Sequence, residues 1–203
     1  MKKYAVLHEP GDIVTLAGTR FVVLDVERRG SLPDSLFLLA LESVGASEFG
    51  SSNNYAESDL KKAVDKWLED MGKRGLDNAK LIPREIDLTT LDGSGCYGKL
   101  SVKAAPLTLD EAREYADIIP NAERWCWLAT GWSGPSKSDG DNALYVGSNG
   151  DWNGGLCSSS HGIRPALKAP SILFEDSEAG LDLSKIPTDD LLQEIHRRLA
   201  EKA

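Results

Sequence analysis

Two β-rich runs open the chain, Ile13-Val14-Thr15-Leu16 and Arg20-Phe21-Val22-Val23-Leu24-Asp25-Val26, with Gly18-Thr19 between them. Branched and aromatic residues around a glycine turn predict an antiparallel hairpin. The leucine-rich stretch 35–44 supplies a next strand. From Ser58 the period changes. Leu60, Ala63, Val64, Trp67, Leu68 and Met71 recur at helical spacing and share one face. Ser58 is a natural N-cap, and Gly72 or Gly75 can end that helix. A second helix starts at Thr108, where Thr108-Leu109-Asp110-Glu111 is a capping box followed by Ala112, Tyr115 and Ala116, and Pro120 stops it. A last amphipathic helix is expected over 188–203, with Leu191, Leu192, Ile195 and Leu199 on one face and Arg197 and Arg198 near its C-terminus, complementing the dipole. The order is strands, helix, connector, helix, strands. That order favours an α+β fold with an antiparallel sheet over a regular βαβ alternation.

Composition narrows the function. With 203 residues, 41% of them hydrophobic and 27% charged, the chain suits one packed domain rather than a disordered one. Its 23 basic and 32 acidic residues leave a net charge of −9, which repels phosphate backbones and excludes non-specific nucleic-acid binding. No stretch is long and apolar enough for a membrane span, and Met1 to Pro10 lacks the apolar core of a signal peptide. Cys96, Cys126 and Cys157 are odd in number and widely spaced, against a disulfide framework. A reduced cytoplasmic chain is the default expectation, with a phage particle or a surface as the alternative.

The charge is uneven. From Trp125 to Pro170 three cations (Lys137, Arg164, Lys168) balance three anions (Asp139, Asp141, Asp151), so the whole −9 lies outside this window. The window also holds Trp125, Trp127, Trp132 and Trp152, four of the five tryptophans. Other motifs carry less. The run Gly93 to Leu100 imitates a phosphate loop, but Leu100 stands where a hydroxyl residue is needed and a strand, not a helix, follows. A glycine-rich turn is expected there. The segment Asn149 to Gly154 resembles the start of a calcium loop, yet Ser160 falls where the bidentate glutamate belongs, so a turn built on Asn and Asp is expected. Zinc would need Cys96, Cys126, Cys157 and His161 to converge without any C-x-x-C pair. No metal, cofactor or catalytic residue is assigned.

Within the window, Trp125-Cys126-Trp127 alternates along a strand, and Trp125 and Trp127 are expected in the core. Trp132 and Trp152 sit among Gly, Ser, Asn and Asp, where no core is expected. Aromatic rings interleaved with small polar residues between strands have the composition of a binding surface.

The frame Trp125-Cys126-Trp127-Leu128, then Tyr145-Val146, Asn149-Gly150-Asp151-Trp152-Asn153 and Gly162-Ile163-Arg164-Pro165-Ala166-Leu167, resembles the C-terminal region of C-type-lectin-fold variable proteins of bacterial and phage diversity-generating retroelements. Gly11-Asp12-Ile13-Val14 and the Trp67-Leu68 pair fit their N-terminal halves. Leu128-Ala129-Thr130-Gly131 departs from the frequent Leu-Arg-Ser-Pro. The resemblance implies a C-type-lectin-like domain over residues 1–169 with a variable region at about 125–167; a connector at 170–187 and the C-terminal helix are read from the residues that follow it. It implies scaffold roles for Trp125, Trp127, Gly162, Arg164 and Pro165. Trp132, Tyr145, Gly147, Gly154, Gly155, Leu156, Cys157, Ser158, Ser159, Ser160 and His161 become ligand contacts, and the composition of the loops adds Trp152. The ligand is then an unidentified macromolecule, with a protein favoured, and the chain is a binder rather than an enzyme. Two alternatives remain open: an enzyme of the formylglycine-generating group, which shares the fold and uses reactive cysteines, and a structural phage or prophage component self-associating through the C-terminal helix.

Overall fold

A computed structural model describes residues 8–29 and 32–174, together with 188, 189 and 192. The chain begins with β1 (Ile13–Leu16) and β2 (Thr19–Arg29), an antiparallel hairpin in which Leu16 faces Thr19. The two turn residues are therefore Ala17 and Gly18, one position earlier than expected. Both have positive φ, 46° and 74°. This is the twist that a two-residue hairpin requires. β3 (Leu32–Ala40) pairs with β2, and β4 (Ala46–Glu48) follows.

A 3-10 turn at Tyr55–Glu57 leads into α1 (Asp59–Lys73). Ser58 Oγ accepts from the Lys61 N–H at 2.9 Å, as its sequence position predicts. At the other end Leu76 N donates to Met71 O and Gly75 N to Gly72 O, the paired bonds of a Schellman stop. Leu60, Val64 and Met71 are fully buried, and Ala63, Trp67 and Leu68 pack beside them. The expected helical face is the buried face.

The stretch read as a connector contains β5 (Arg84–Asp87), β6 (Lys99–Val102) and β7 (Ala104–Ala105). β5 and β6 pair antiparallel, and the glycine-rich run Gly93 to Gly98 is the loop between them. In α2 (Leu109–Glu114) both halves of the capping box form: Glu111 N donates to Thr108 Oγ1 at 3.2 Å and Thr108 N to Glu111 Oε2 at 2.8 Å. The regular helix ends at Glu114, and turns carry the chain to Pro120.

The window supplies β8 (Cys126–Gly131), β9 (Asn142–Val146), β10 (Trp152–Leu156), β11 (Ser160–Gly162) and β12 (Ala166–Pro170), before a 3-10 turn at Ser171–Phe174. Instead of one antiparallel sheet there are two five-stranded sheets and the β5–β6 pair. The first sheet runs β1-β2-β3-β12-β7 and the second β10-β9-β8-β11-β4. Among the described residues all strand pairings are antiparallel except β11 with β8. Inserting β12 between β3 and β7 ties the window back to the N-terminal strands.

The central strands β2 and β8 are covered on two sides, which explains their continuous apolar runs, while β10 at the edge of the second sheet is largely open. Phe21 and Val23 face the larger core with α1, while Val22 and Leu24 face a second core with Leu109, Ala112, Leu128 and Leu144. β8 divides likewise, with Trp127 and Ala129 in the first core and Leu128 in the second. The fold is thus mixed α+β, mostly antiparallel, with two helices packed against the sheets. Pro170 to Phe174 of the expected connector continue β12 and the 3-10 turn. The expected C-terminal helix and the rest of the connector lie outside the described residues, apart from Thr188, Asp189 and Leu192, which are helical.

The caps are load points that a mutation can isolate. Ser58→Ala and Thr108→Ala are each expected to lower unfolding free energy by about 1 kcal/mol, read as a lower urea midpoint with an unchanged slope. An unmoved midpoint would show that the bonds contribute nothing.

Candidate functional site

The window is organised around one fully buried indole. Trp127 donates from Nε1 to Ser47 O at 3.0 Å and meets Phe49 edge-on with ring centroids 5.5 Å apart. Tyr145 and His161 pack on it, at 6.0 and 4.4 Å. Tyr145 lies directly across from Trp127 in the β8–β9 register. Beyond these rings Trp125 stacks flat on Tyr145, at 5.1 Å and 6°.

Trp125 departs from expectation. It is 50% exposed rather than in the core. The Trp-Cys-Trp alternation does place Trp125 and Trp127 on one side of the chain, but Trp125 precedes the first residue of β8, where the core has ended. Tyr145 and His161 fill the space beneath it, so its outer face stays open. Trp125, Arg124, Ser148, Ser160, His161 and Ala46 line an open groove of about 420 Å³.

Trp132 departs in the opposite direction. Expected at the surface, it is half-buried against the second core. Its ring lies so close to β10 that a Cβ on Gly154 would run into Cε3 and Cζ3. Glycine at 154 is what lets the indole lie there. A position read as a freely variable contact is therefore held small by packing. Tyr145, Gly147 and Cys157 are also buried and present little side chain outward.

The remaining expected contacts do face solvent. Trp152 and Leu156 are 42% and 52% exposed, Ser158 and Ser160 are exposed, and Gly155, Ser159 and His161 are half-buried. Gly155 sits beside the Tyr145 and His161 rings, so β10 and β11 meet around one aromatic cluster. The Arg113 guanidinium rests over the Trp152 ring at 5.5 Å. Gly162, Arg164 and Pro165, the expected scaffold, are buried.

Two features escaped the sequence pattern. Asn53 is 1% exposed and donates to Ser133 O at 2.8 Å and Asn142 O at 3.0 Å, while its Oδ1 accepts from Tyr97 OH. A buried amide with these three bonds pins the β8–β9 connection to the loop before α1. No periodicity marks such a residue, because its partners are distant backbone carbonyls. The other is the pairing of Trp125 with Tyr145, which depends on strand register.

The chemistry of the site is quiet. Burial pushes the Cys157 thiol up to about 12 and raises that of Cys126, and all three cysteines are free. Among the described residues no three His, Cys, Asp or Glu side chains stand where they could share a metal ion. Asn149 to Asp151 lie in the β9–β10 turn, closed by Gly147 N donating to Asp151 O at 2.7 Å, and Trp152 to Gly154 begin β10. Among the described residues no helix is long and apolar enough to cross a membrane. Comparison of the chain with models of known protein families, with curated proteins and with solved structures gives no match.

Two outcomes follow from this geometry. Gly154→Ala is expected to displace the Trp132 ring and cost about 1–3 kcal/mol, the range for overpacking, with a changed near-UV circular dichroism. An unchanged spectrum and stability would mean the ring is not wedged there. Burial also lowers the pKa of His161 below 6.5, and that of His8 with it. The unfolded chain then binds more protons in the interval just below 6.5, so stability falls as pH drops through it. Melting temperature measured from about pH 7.5 to 5, across the ordinary histidine value, is expected to decline less steeply for His161→Asn. Equal slopes would remove His161 from this linkage.

Proposed function

We propose that this chain is a binding protein of C-type-lectin type, a variable protein that displays part of its Trp-rich window to a macromolecular ligand. The observation that carries the reading is the division of labour within 125–167. Trp127, Gly162, Arg164 and Pro165 are buried framework, while Trp125, Ser160 and His161 leave an aromatic and small-polar surface open around one ring cluster, and Trp152, Leu156 and Ser158 are exposed elsewhere in the window, Trp152 and Leu156 on the opposite face of β10 from that cluster. Rings held by such a framework bind with little loss of side-chain freedom, and a surface without net charge is cheap to desolvate. A protein surface is the ligand this composition suits best. Trp125 moves from scaffold to contact in this proposal, and Trp132, Tyr145, Gly147, Gly154 and Cys157 become supports.

The enzyme alternative needs an acidified thiolate. Burial drives Cys157 the other way, which favours binding.

Diversification in the resembled family acts on adenines, typically of Asn codons, and leaves Trp, Met, Lys, Glu and Gln unreachable. Gly147 and Gly154 to His161 contain none of these five types. The test is at the gene: codons at the positions that packing leaves free, Gly155, Leu156, Ser158, Ser159, Ser160 and His161, are expected to end overwhelmingly in C, with a near-identical repeat of the segment encoding Trp125 to His161 and a reverse transcriptase gene nearby. Absence of the repeat overturns diversification. On the protein, combined substitution of Leu156, Ser158 and Ser160 is expected to leave stability within about 1 kcal/mol, whereas Trp127→Ala costs about 3–5 kcal/mol. Comparable losses would refute a framework separate from its surface.

A further inference from the structure

Between α2 with its following turns and the second sheet lies a cavity of about 200 Å³, distinct from the aromatic groove. Leu39, Leu107, Ala112, Ile119, Leu128 and Val146 give it apolar walls. Arg164 is the one charged side chain among the described residues of that wall. It is 7% exposed, its Nε donates to Ala40 O at 2.7 Å and its Nη1 to Pro120 O at 2.9 Å, and its Nη2 is buried with no partner. Two backbone carbonyls satisfy part of the fork and neutralise none of its charge. A buried guanidinium without an anion is costly, and a planar carboxylate is the group that matches it. Desolvation by burial, the main influence on Arg164, weighs against its charged form, while Cys126 and Glu42 favour it.

We infer that this cavity binds a small monocarboxylate with an apolar body, whose headgroup supplies the missing anion to Arg164. The size fits one ring or a short chain, since cavities of about 150 Å³ hold a benzene-sized molecule and drug-sized ligands need about 300 Å³ or more. Entry is past Ala116, which is exposed, and Trp152, whose ring carries Arg113 on its face. Arg113 is itself ion-paired with Asp110 at 3.3 Å, so the preference for an anion over a neutral or cationic guest rests on Arg164. The site shares only Gly147 and Trp152 with the expected ligand contacts, and it stands whether or not the window is diversified.

The test is calorimetric titration of the full chain with phenylacetate, phenylacetamide and phenethylamine, three probes of one shape and different charge. Phenylacetate is expected to bind at least about tenfold more tightly than either other probe. Ala116→Phe, which narrows the mouth without entering the core, is expected to weaken phenylacetate by at least about tenfold with the melting temperature retained. Arg164→Gln, where it folds, is expected to abolish the preference for the acid over the amide. Equal affinity for acid and amide, unchanged binding in Ala116→Phe, or no binding of phenylacetate overturns the proposal. Should Arg164→Gln fail to fold, the isostere comparison and Ala116→Phe decide alone.

Discussion

Trp127 is fully buried, and residues of three other strands meet on its ring. Its indole N–H is bonded to Ser47 of β4, its faces and edges meet Phe49, Tyr145 of β9 and His161 of β11, and its own backbone belongs to β8. A buried Trp needs both a full set of neighbours and an acceptor for its one donor. Satisfying both at once fixes which strands lie beside β8 and how far each slides. The open stack of Trp125 on Tyr145 follows from that register, and so does the groove beside it.

A second constraint comes from central strands that are apolar on both faces. Alternate residues of β2 and of β8 enter different cores, so neither strand can turn a face to water without losing one of them. What the window exposes is strand edge and hairpin, namely β10, the β10–β11 turn and the residue before β8. Small and aromatic residues suit such places because they expose no long apolar run while leaving rings available.

Local structure was legible wherever neighbouring residues decide it. The hairpin around Gly18, the helix face from Leu60 to Met71, the Ser58 cap and the Thr108–Glu111 box all depend on contacts within a few positions. The strand expected after the Gly93 to Leu100 run is β6 with β7, but β5 was not legible, because four residues such as Arg84–Asp87 carry no periodicity that separates a strand from a loop. Neither was the exposure of the tryptophans. Trp125 and Trp132 exchanged their expected environments, since spacing along one strand says nothing of where the neighbouring strands stop or which glycine leaves room for a ring.

The sequence alone determined the α+β class, the N-caps of the two described helices and the buried face of α1, the first hairpin and the neutrality of the Trp-rich window, because each is a property of adjacent residues or of composition. The tertiary structure decided the split into two sheets, the choice of Trp127 over Trp125 as the buried ring, the clamp of Trp132 on Gly154 and the placing of Arg164 beside an apolar cavity with Nη2 unpartnered. These depend on residues that lie up to more than a hundred positions apart, as Ala40 and Arg164 do. Only closure of both cores brings such groups together.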